Sequence, residues 1–149
     1  MIKLIRTNFE NKDFINLVKD LDAYLKITDE DEHDFYNQFN NIDVIKHVVI
    51  AYNEDEPVGC GAIKFFSENS AEVKRMFVLP KARGKGYAQQ ILLELESWAK
   101  DLGYANCILE TGKRQVEAVQ FYHKSKYQVI PNYGQYKNME NSICFKKVL

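Results

Sequence analysis

The sequence predicts a mixed α/β fold, and three features of its 149 residues lead to this prediction. Segments in which apolar and polar residues alternate, as in strands, occupy the middle and the end of the chain. Segments in which apolar residues recur every three or four positions, as in amphipathic helices, lie before and between them. No linker, repeat or low-complexity stretch separates these segments, so we expect one domain that spans residues 1–149.

The first part of the chain predicts one strand and two helices. Residues 1–6 alternate in the manner of a strand. The next segment predicts an amphipathic helix, because its apolar residues fall on one helical face: Phe14, Leu17, Val18, Leu21 and Leu25. The acidic residues 29–32 are typical of the start of a solvated helix, and a second helical segment follows them through Phe35 and Phe39.

The middle of the chain predicts an antiparallel meander. Three strand segments alternate with two polar turns, in the order 47–52, 53–57, 58–66, 67–70 and 71–79. Pro80 ends the third strand, because proline has no N–H to donate to a sheet. Gly59 and Gly61 lie inside the second strand and indicate either a bulge or the close approach of another group.

The strongest helical pattern follows this meander. Its apolar residues are Ala88, Ile91, Leu92, Leu95, Trp98, Ala99 and Leu102. The predicted solvent face carries Gln89, Gln90, Glu94, Glu96 and Lys100. A strand at 105–111 comes next, so this helix forms a strand–helix–strand crossover. A shorter helix through Ala118, Val119 and Tyr122 and two strands, at 127–130 and 142–147, complete the chain.

Composition excludes several classes of function. A net charge of −1 argues against a general nucleic-acid binder, and no apolar run is long enough to span a bilayer. The three histidines are scattered and the three cysteines form no CxxC pair, so we expect neither a metal site nor a disulfide framework. The N-terminus lacks the pattern of a signal peptide, which favours a cytoplasmic protein.

A glycine-containing loop, residues 80–88, joins the third strand to the strong helix. The first N–H groups of a helix are unpaired and lie at the positive end of its dipole, which suits a pyrophosphate. Gly84 and Gly86 let the backbone come close to such a ligand. Positive charge is added by Lys81, Arg83 and Lys85. The spacing is neither that of a nucleotide P-loop nor that of a dinucleotide fingerprint.

Two separated motifs flank the strong helix. The first comprises residues 76–80 and 83–88. The second comprises residues 108–112, followed by Gln115, Ala118, Phe121, Tyr122 and Tyr127. Together they resemble the coenzyme A site of the GNAT superfamily of N-acetyltransferases. The resemblance implies a mainly antiparallel sheet with a splayed central strand pair and flanking helices.

The resemblance also implies a binding mode for acetyl-CoA as co-substrate. Backbone groups of Met76, Phe77 and Val78 would bind pantetheine, and an N–H near Met76 or Phe77 would polarise the thioester carbonyl. The pyrophosphate would lie against Arg83, Gly84, Lys85, Gly86, Tyr87, Ala88 and Gln89. Gln115 stands where the family usually carries asparagine, and Lys126 stands where a glycine usually precedes the aromatic residue.

Acetyl transfer to an amine requires a base, a contact for the oxyanion and a proton for the leaving thiolate. Tyr122 matches the family's proton-donating tyrosine, and a phenol keeps its proton at neutral pH. Glu72 and Glu110 are the candidate bases, acting directly or through water. The alternatives are a packed core aromatic for Tyr122 and a salt bridge for each glutamate. Cys107, mid-strand and without a neighbouring histidine, is expected to be a packed residue.

The acceptor is expected to be the primary amine of a small molecule or amino-acid-like compound. The polar-aromatic loop 132–136 would either close over it or form a plain surface turn. An opposing wall would come from the N-terminal helices, through Tyr24, His33, Phe35 and Tyr36. The alternatives are acetylation of protein N-termini or lysines, and a non-catalytic acyl-CoA-binding module. A homodimer is also considered, in which the final strand pairs with its copy.

Overall fold

Seven strands form one sheet in the computed structural model, which describes residues 2–29 and 45–149. In chain order they are β1 (Ile2–Thr7), β2 (His47–Asn53), β3 (Glu56–Phe65), β4 (Ser70–Val78), β5 (Asn106–Gly112), β6 (Gln128–Ile130) and β7 (Ser142–Val148). Their order across the sheet is β1-β2-β3-β4-β5-β7-β6, and every neighbouring pair is antiparallel except β4 and β5. The predicted mixed, mainly antiparallel α/β fold is confirmed.

In the described part of the chain, three helices pack on this sheet: α1 (Lys12–Asp29), α2 (Tyr87–Asp101) and α3 (Val116–Lys124). Short 3-10 turns lie at Pro80–Ala82 and Gly134–Tyr136. The second helical segment predicted through Phe35 and Phe39 lies outside the described residues. Within the described part of the chain, each helix is too short or too polar to cross a membrane.

The alternation of side chains in β2 shows how the sheet builds two cores. Val48 and Ile50 face α1 and pack in a cluster with Phe14. Val49 and Ala51 face the other way, into a cluster with the apolar stripe of α2. Because successive strand residues point to opposite faces, an unbroken apolar run marks a strand that is covered on both sides.

One residue predicted on the solvent face of α2 is buried instead. Glu96 is 7% exposed and accepts hydrogen bonds from the Tyr127 hydroxyl (2.8 Å) and the Lys147 ammonium (2.9 Å). These partners lie 31 and 51 residues away, so helical periodicity could not reveal them. The predicted apolar residue Leu102 is 46% exposed, because α2 ends one residue before it.

The final strand is not at an edge of the sheet. β7 lies between β5 and β6, and β6 pairs with its residues Cys144, Phe145 and Lys146. At these three residues β7 already has a strand on each side, and the predicted homodimer stays a prediction. The two edge strands are β1 and β6.

Both structural features expected at the glycines of β3 are present. The register between β3 and β4 shifts at Cys60–Ala62, opposite Arg75, which has a φ of 60°. Gly61 also lies against α2. A Cβ added there would stand 2.5 Å from the Met76 sulfur and 2.8 Å from Leu95 Cδ1. The absence of a side chain thus lets α2 and Met76 pack closely on the sheet.

Replacing Gly61 by alanine is expected to lower the free energy of unfolding by about 1–3 kcal/mol, because the added methyl overpacks the core. Gly59→Ala should cost at least as much, since its Cβ would meet the rigid Phe77 carbonyl oxygen at 2.9 Å. Urea unfolding monitored by circular dichroism measures both changes. An unchanged Gly61→Ala midpoint would show that the helix is not closely packed there.

The parallel strands β4 and β5 pair along only part of their length. Their register runs from Ser70–Asn106 to Glu72–Ile108 and ends there, although both strands continue. Beyond Glu72 they diverge, as the predicted splayed pair requires. The divergence opens a cleft at their carboxyl ends and leaves the facing backbone groups of β4 without a strand partner.

Candidate functional site

Two adjoining cavities occupy the cleft between β4 and β5. The large groove, of about 550 Å³, runs between the end of β4, the start of α2 and α3. The small cavity, of about 100 Å³, lies between α1, β4, β5 and the 3-10 turn before β7. Four residues line both: Leu21, Met76, Gln115 and Tyr122. A molecule in the groove and another in the cavity would therefore meet at these four residues.

Most of the residues predicted to bind the co-substrate line the large groove. They are Met76, Phe77, Val78, Arg83, Gly84, Gly86, Tyr87, Ala88, Gln89 and Gln115. Lys85 is exposed and does not line the groove. The groove also includes residues that the sequence did not single out for binding, namely Leu21, Ala82, Glu117, Lys124 and Ser125.

The amino-terminal end of α2 forms one end of the groove. Gly86 precedes the helix with a φ of 83°, and no side chain caps the first turn. The first N–H groups of the helix thus remain available, with the positive end of the helix dipole behind them. Open space surrounds the Cα of Gly86, so a ligand can reach the backbone. This arrangement suits a phosphate group.

The three basic side chains of the loop have different surroundings. Arg83 Nε donates to the Val78 carbonyl (2.9 Å), and its guanidinium lies 5.4 Å from the Tyr24 ring centroid. Lys81 instead forms an exposed ion pair with Glu56. Arg83 is thus the basic side chain of this loop that lies within the groove.

The wall contributed by α1 differs from the prediction. Tyr24 lies on the large groove, where it packs against Arg83, and does not line the small cavity. Leu21 and Leu25, on neighbouring turns of α1, line the small cavity instead. The other residues predicted for this wall lie outside the described part of the chain: His33, Phe35 and Tyr36.

The small cavity contains charges of both signs on the strands. Its carboxylates are Glu72 on β4, 4% exposed, and the half-buried Glu110 on β5. Its cations are Lys74 and Arg75. Burial lowers the pKa of Lys74, while the nearby charge of Glu72 acts in the opposite direction. Both candidate bases therefore lie in one cavity, beside two cations.

Arg75 is the more deeply buried of the two cations. Its Nη1 donates to Asp22 on α1 at 2.8 Å, and its side chain is 3% exposed. Its Nε is buried and has no hydrogen-bond partner among the described residues. Its positive φ is unusual for a residue with a side chain and occurs at the β-bulge.

Tyr122 stands where the two cavities meet. It is 6% exposed and packs against Tyr127 and Phe145, with ring centroids 5.8 Å away in each case. Burial raises its pKa, and the charge of Glu110 raises it further. Tyr122 therefore packs in the core and also lines both cavities, and its phenol keeps its proton well above neutral pH.

The polar-aromatic loop before β7 covers one side of the small cavity. The Tyr133 hydroxyl donates to Glu72 Oε2 at 2.6 Å, and Tyr136, 3% exposed, lines the cavity. Asn132 holds the loop in place by donating to three backbone carbonyls at 3.1 Å, those of Tyr136, Met139 and Ser142. Burial raises the pKa of Tyr133, and the Glu72 charge adds to this effect.

Comparison with known proteins identifies the family. Residues 13–127 match the sequence model described as the Acetyltransferase (GNAT) family. This chain belongs to the GNAT acetyltransferases. The predicted family and enzyme class are thereby confirmed.

Three similar proteins illustrate the relationship. An IAA acetyltransferase of Azospirillum brasilense is 34% identical over 102 residues, which are 68% of this chain and 67% of that protein. A Klebsiella pneumoniae protein, provisionally described as an acyl-CoA N-acyltransferase, is 26% identical with a TM-score of 0.84, covering 100% of this chain and 98% of the other. A GNAT family acetyltransferase of Elizabethkingia anophelis, solved with acetyl-CoA bound, is 16% identical with a TM-score of 0.74, covering 99% and 98%. The ligand of the Elizabethkingia protein, acetyl-CoA, is the co-substrate predicted from the sequence. The prediction of acetyl-CoA as co-substrate is thus confirmed at the level of the family.

The sequence did not assign Lys74 and Arg75 to this GNAT site. Glu72 and Lys74 are two residues apart, so strand alternation places both on one face of the sheet. Arg75 would face the opposite way in a regular strand, and the bulge alters its direction. Cys107 is fully buried, as expected for a packed residue, and burial raises the pKa of its thiol to about 12.

Proposed function

We propose that this GNAT protein transfers the acetyl group of acetyl-CoA directly to the primary amine of a small-molecule or amino-acid-like acceptor. The observation that carries the proposal is the meeting of the two cavities at Met76, Gln115 and Tyr122. Acetyl-CoA would occupy the large groove with its thioester at this junction, and the acceptor would enter from the small cavity. The two reactants would then meet without a covalent enzyme intermediate.

The large groove suits coenzyme A in both its polar and its apolar parts. The pyrophosphate would accept hydrogen bonds from the first N–H groups of α2, beside Gly86 and Ala88. Pantetheine would lie along the diverging part of β4 and bond to its free backbone groups, as an additional strand would. An N–H near Met76 or Phe77 would then donate to the thioester oxygen as it becomes negative.

The transfer divides into three proton and bond changes. A carboxylate takes a proton from the acceptor ammonium, and the resulting amine forms a C–N bond to the thioester carbon. The tetrahedral intermediate collapses by breaking the C–S bond. Tyr122 donates its proton to the departing thiolate, and the nitrogen of the new amide then gives its excess proton to the tyrosinate, which regenerates the phenol. The protonated carboxyl releases its proton to solvent.

Glu110 is the better placed of the two candidate bases. It lines the small cavity together with Tyr122, the proton donor, and its charge raises the pKa of that phenol. Glu72 is instead engaged by the Tyr133 hydroxyl, from which it accepts a hydrogen bond. We therefore assign proton abstraction to Glu110, directly or through water, and assign to Glu72 the binding of the acceptor ammonium.

Two measurements test this function. Titration calorimetry is expected to show acetyl-CoA binding, and a thiol-release assay across a panel of primary amines is expected to identify acetylated acceptors. Binding without thiol release from any amine or peptide would indicate a non-catalytic acyl-CoA module. Faster turnover of peptides than of free amines would indicate a protein acetyltransferase.

Replacing Gly86 by alanine is expected to raise KM for acetyl-CoA by about tenfold, with a smaller effect on kcat. The left-handed conformation costs alanine about 1–2 kcal/mol, so the chain would relax and disturb the phosphate site. Gly103→Ala is the matched control, because Gly103 has a φ of 97° and open surroundings but follows the other end of α2. Equal changes of KM in both variants would contradict the assignment.

A further inference from the structure

The small cavity pairs two carboxylates, Glu72 and Glu110, with two cations, Lys74 and Arg75. We infer that the acceptor is a primary amine that also carries a carboxylate, and that Arg75 binds this carboxylate. The inference rests on the proposed function, because it names the class of acceptor for the same site. It distinguishes amino-acid-like acceptors from simple amines and polyamines.

The guanidinium of Arg75 is held in position but incompletely bonded. Asp22 engages Nη1 from the partly exposed side of α1, whereas Nε is buried and has no partner among the described residues. A buried N–H that gives up water without gaining an acceptor costs free energy. The planar guanidinium fork matches a carboxylate in a bidentate arrangement, so a bound carboxylate would supply the missing acceptor.

The backbone maintains this arrangement at an energetic cost. Arg75 adopts a φ of 60°, which a residue with a Cβ adopts rarely. The bulge lets Lys74 and Arg75, neighbours in sequence, line the same cavity. Such backbone strain persists only where the surrounding structure holds it, and it is concentrated at binding and catalytic sites.

The balance of charges argues against a polyamine. The carboxylates of Glu72 and Glu110 can bind one ammonium, but a second ammonium would lie close to Lys74 and Arg75. Buried like charges repel strongly, because little water screens them. A zwitterion instead places its ammonium against the glutamates and its carboxylate against Arg75, so each charge has an opposite partner.

Matched substrate pairs test this inference. Each standard amino acid and its decarboxylated amine are compared by thiol release from acetyl-CoA. In the pairs that react, kcat/KM is expected to be about 10²-fold or more higher for the amino acid, because the amine leaves a buried donor unpaired. Equal or faster turnover of the decarboxylated amines would overturn the inference while leaving the proposed function intact.

A binding measurement keeps the inference testable if no amine is acetylated, an outcome that would refute the proposed function. The probes are N-acetyl amino acids and the N-acetyl derivatives of the decarboxylated amines, titrated into the enzyme–coenzyme A complex. Tighter binding of the N-acetyl amino acids than of the decarboxylated derivatives would support a carboxylate site at Arg75. Equal binding or no binding of the two sets would overturn it.

Two variants separate recognition from support of the fold. Arg75→Gln is expected to abolish the preference within each pair, because it lowers kcat/KM for the amino acid far more than for the decarboxylated amine. Asp22→Asn keeps the guanidinium and removes its competing carboxylate, so the preference should be retained. If each variant instead lowers kcat/KM equally for the amino acid and for its decarboxylated amine, Arg75 only supports the fold, and its role in binding the carboxylate is contradicted. Circular dichroism and acetyl-CoA affinity verify that each variant is folded.

Discussion

Replacing Tyr122 by phenylalanine is expected to lower kcat for acetyl transfer by about 10²- to 10⁴-fold, the usual contribution of a positioned general acid. Phenylalanine preserves the ring that packs against Tyr127 and Phe145, so the fold should be retained. KM for acetyl-CoA should change little, because the hydroxyl acts as the thiolate leaves. Steady-state thiol release measures both constants.

The pH profile tests the same assignment. Burial and the Glu110 charge raise the pKa of Tyr122, so its phenol should stay protonated beyond the ordinary value near 10. Wild-type kcat should therefore not fall as pH rises from about 8 to 10, the range below that ordinary value. A decline there that is absent from Tyr122→Phe would show instead that the phenol loses its proton in this range.

Tyr127→Phe is the matched control for Tyr122→Phe. Tyr127 packs against Tyr122 and is 3% exposed, but its hydroxyl donates to Glu96 and lines neither cavity. Removing it should lower stability by about 1–3 kcal/mol, because Glu96 loses a buried partner. Its kcat should remain near wild type. If both variants lose kcat equally, packing and not proton donation explains the effect.

Replacing Glu110 by glutamine is expected to lower kcat by about 10²- to 10⁴-fold at saturating acceptor. Glutamine has nearly the same shape and cannot accept the proton of the ammonium. Steady-state thiol release at saturating acceptor measures this loss.

Glu72→Gln serves as the comparison, because Glu72 lies in the same cavity and also loses only its charge. We expect it mainly to raise KM for the acceptor, since its assigned role is to bind the ammonium. A larger kcat loss in Glu72→Gln than in Glu110→Gln would reverse the two roles. Equal small losses of kcat in the two variants would indicate that neither carboxylate is the base and that water takes the proton of the ammonium.

Periodicity and turn residues in the sequence predicted most elements within a few residues. The apolar stripe of α1 is an example, with Phe14, Leu17, Val18 and Leu21 buried as predicted. These signals are local, because they depend on 2-residue and 3.6-residue repeats along one segment. The loop around Gly86 could be predicted for the same reason, since a strand, a glycine turn and a helix start are adjacent in the chain.

Features that depend on distant residues could not be predicted in this way. Glu96 was placed on the solvent face of α2, yet Tyr127 and Lys147 bury it. Tyr24 was placed beside the acceptor, yet it packs on Arg83 in the large groove. Periodicity tells which side of an element is apolar, but it does not tell which residues of other elements lie opposite.

The sequence by itself determined the order of the elements, the position of the glycine-containing loop before α2 and the placement of Tyr122 on the helix that follows β5. Each of these follows from residues that are close in the chain. Only the tertiary structure decided that Glu72, Lys74, Arg75 and Glu110 share one cavity. That cavity depends on the divergence of β4 from β5, on the bulge at Arg75 and on Tyr133. Tyr133 donates a hydrogen bond to Glu72, which lies 61 residues away in the chain. Packing of the whole chain sets such distances, and a local pattern does not contain them.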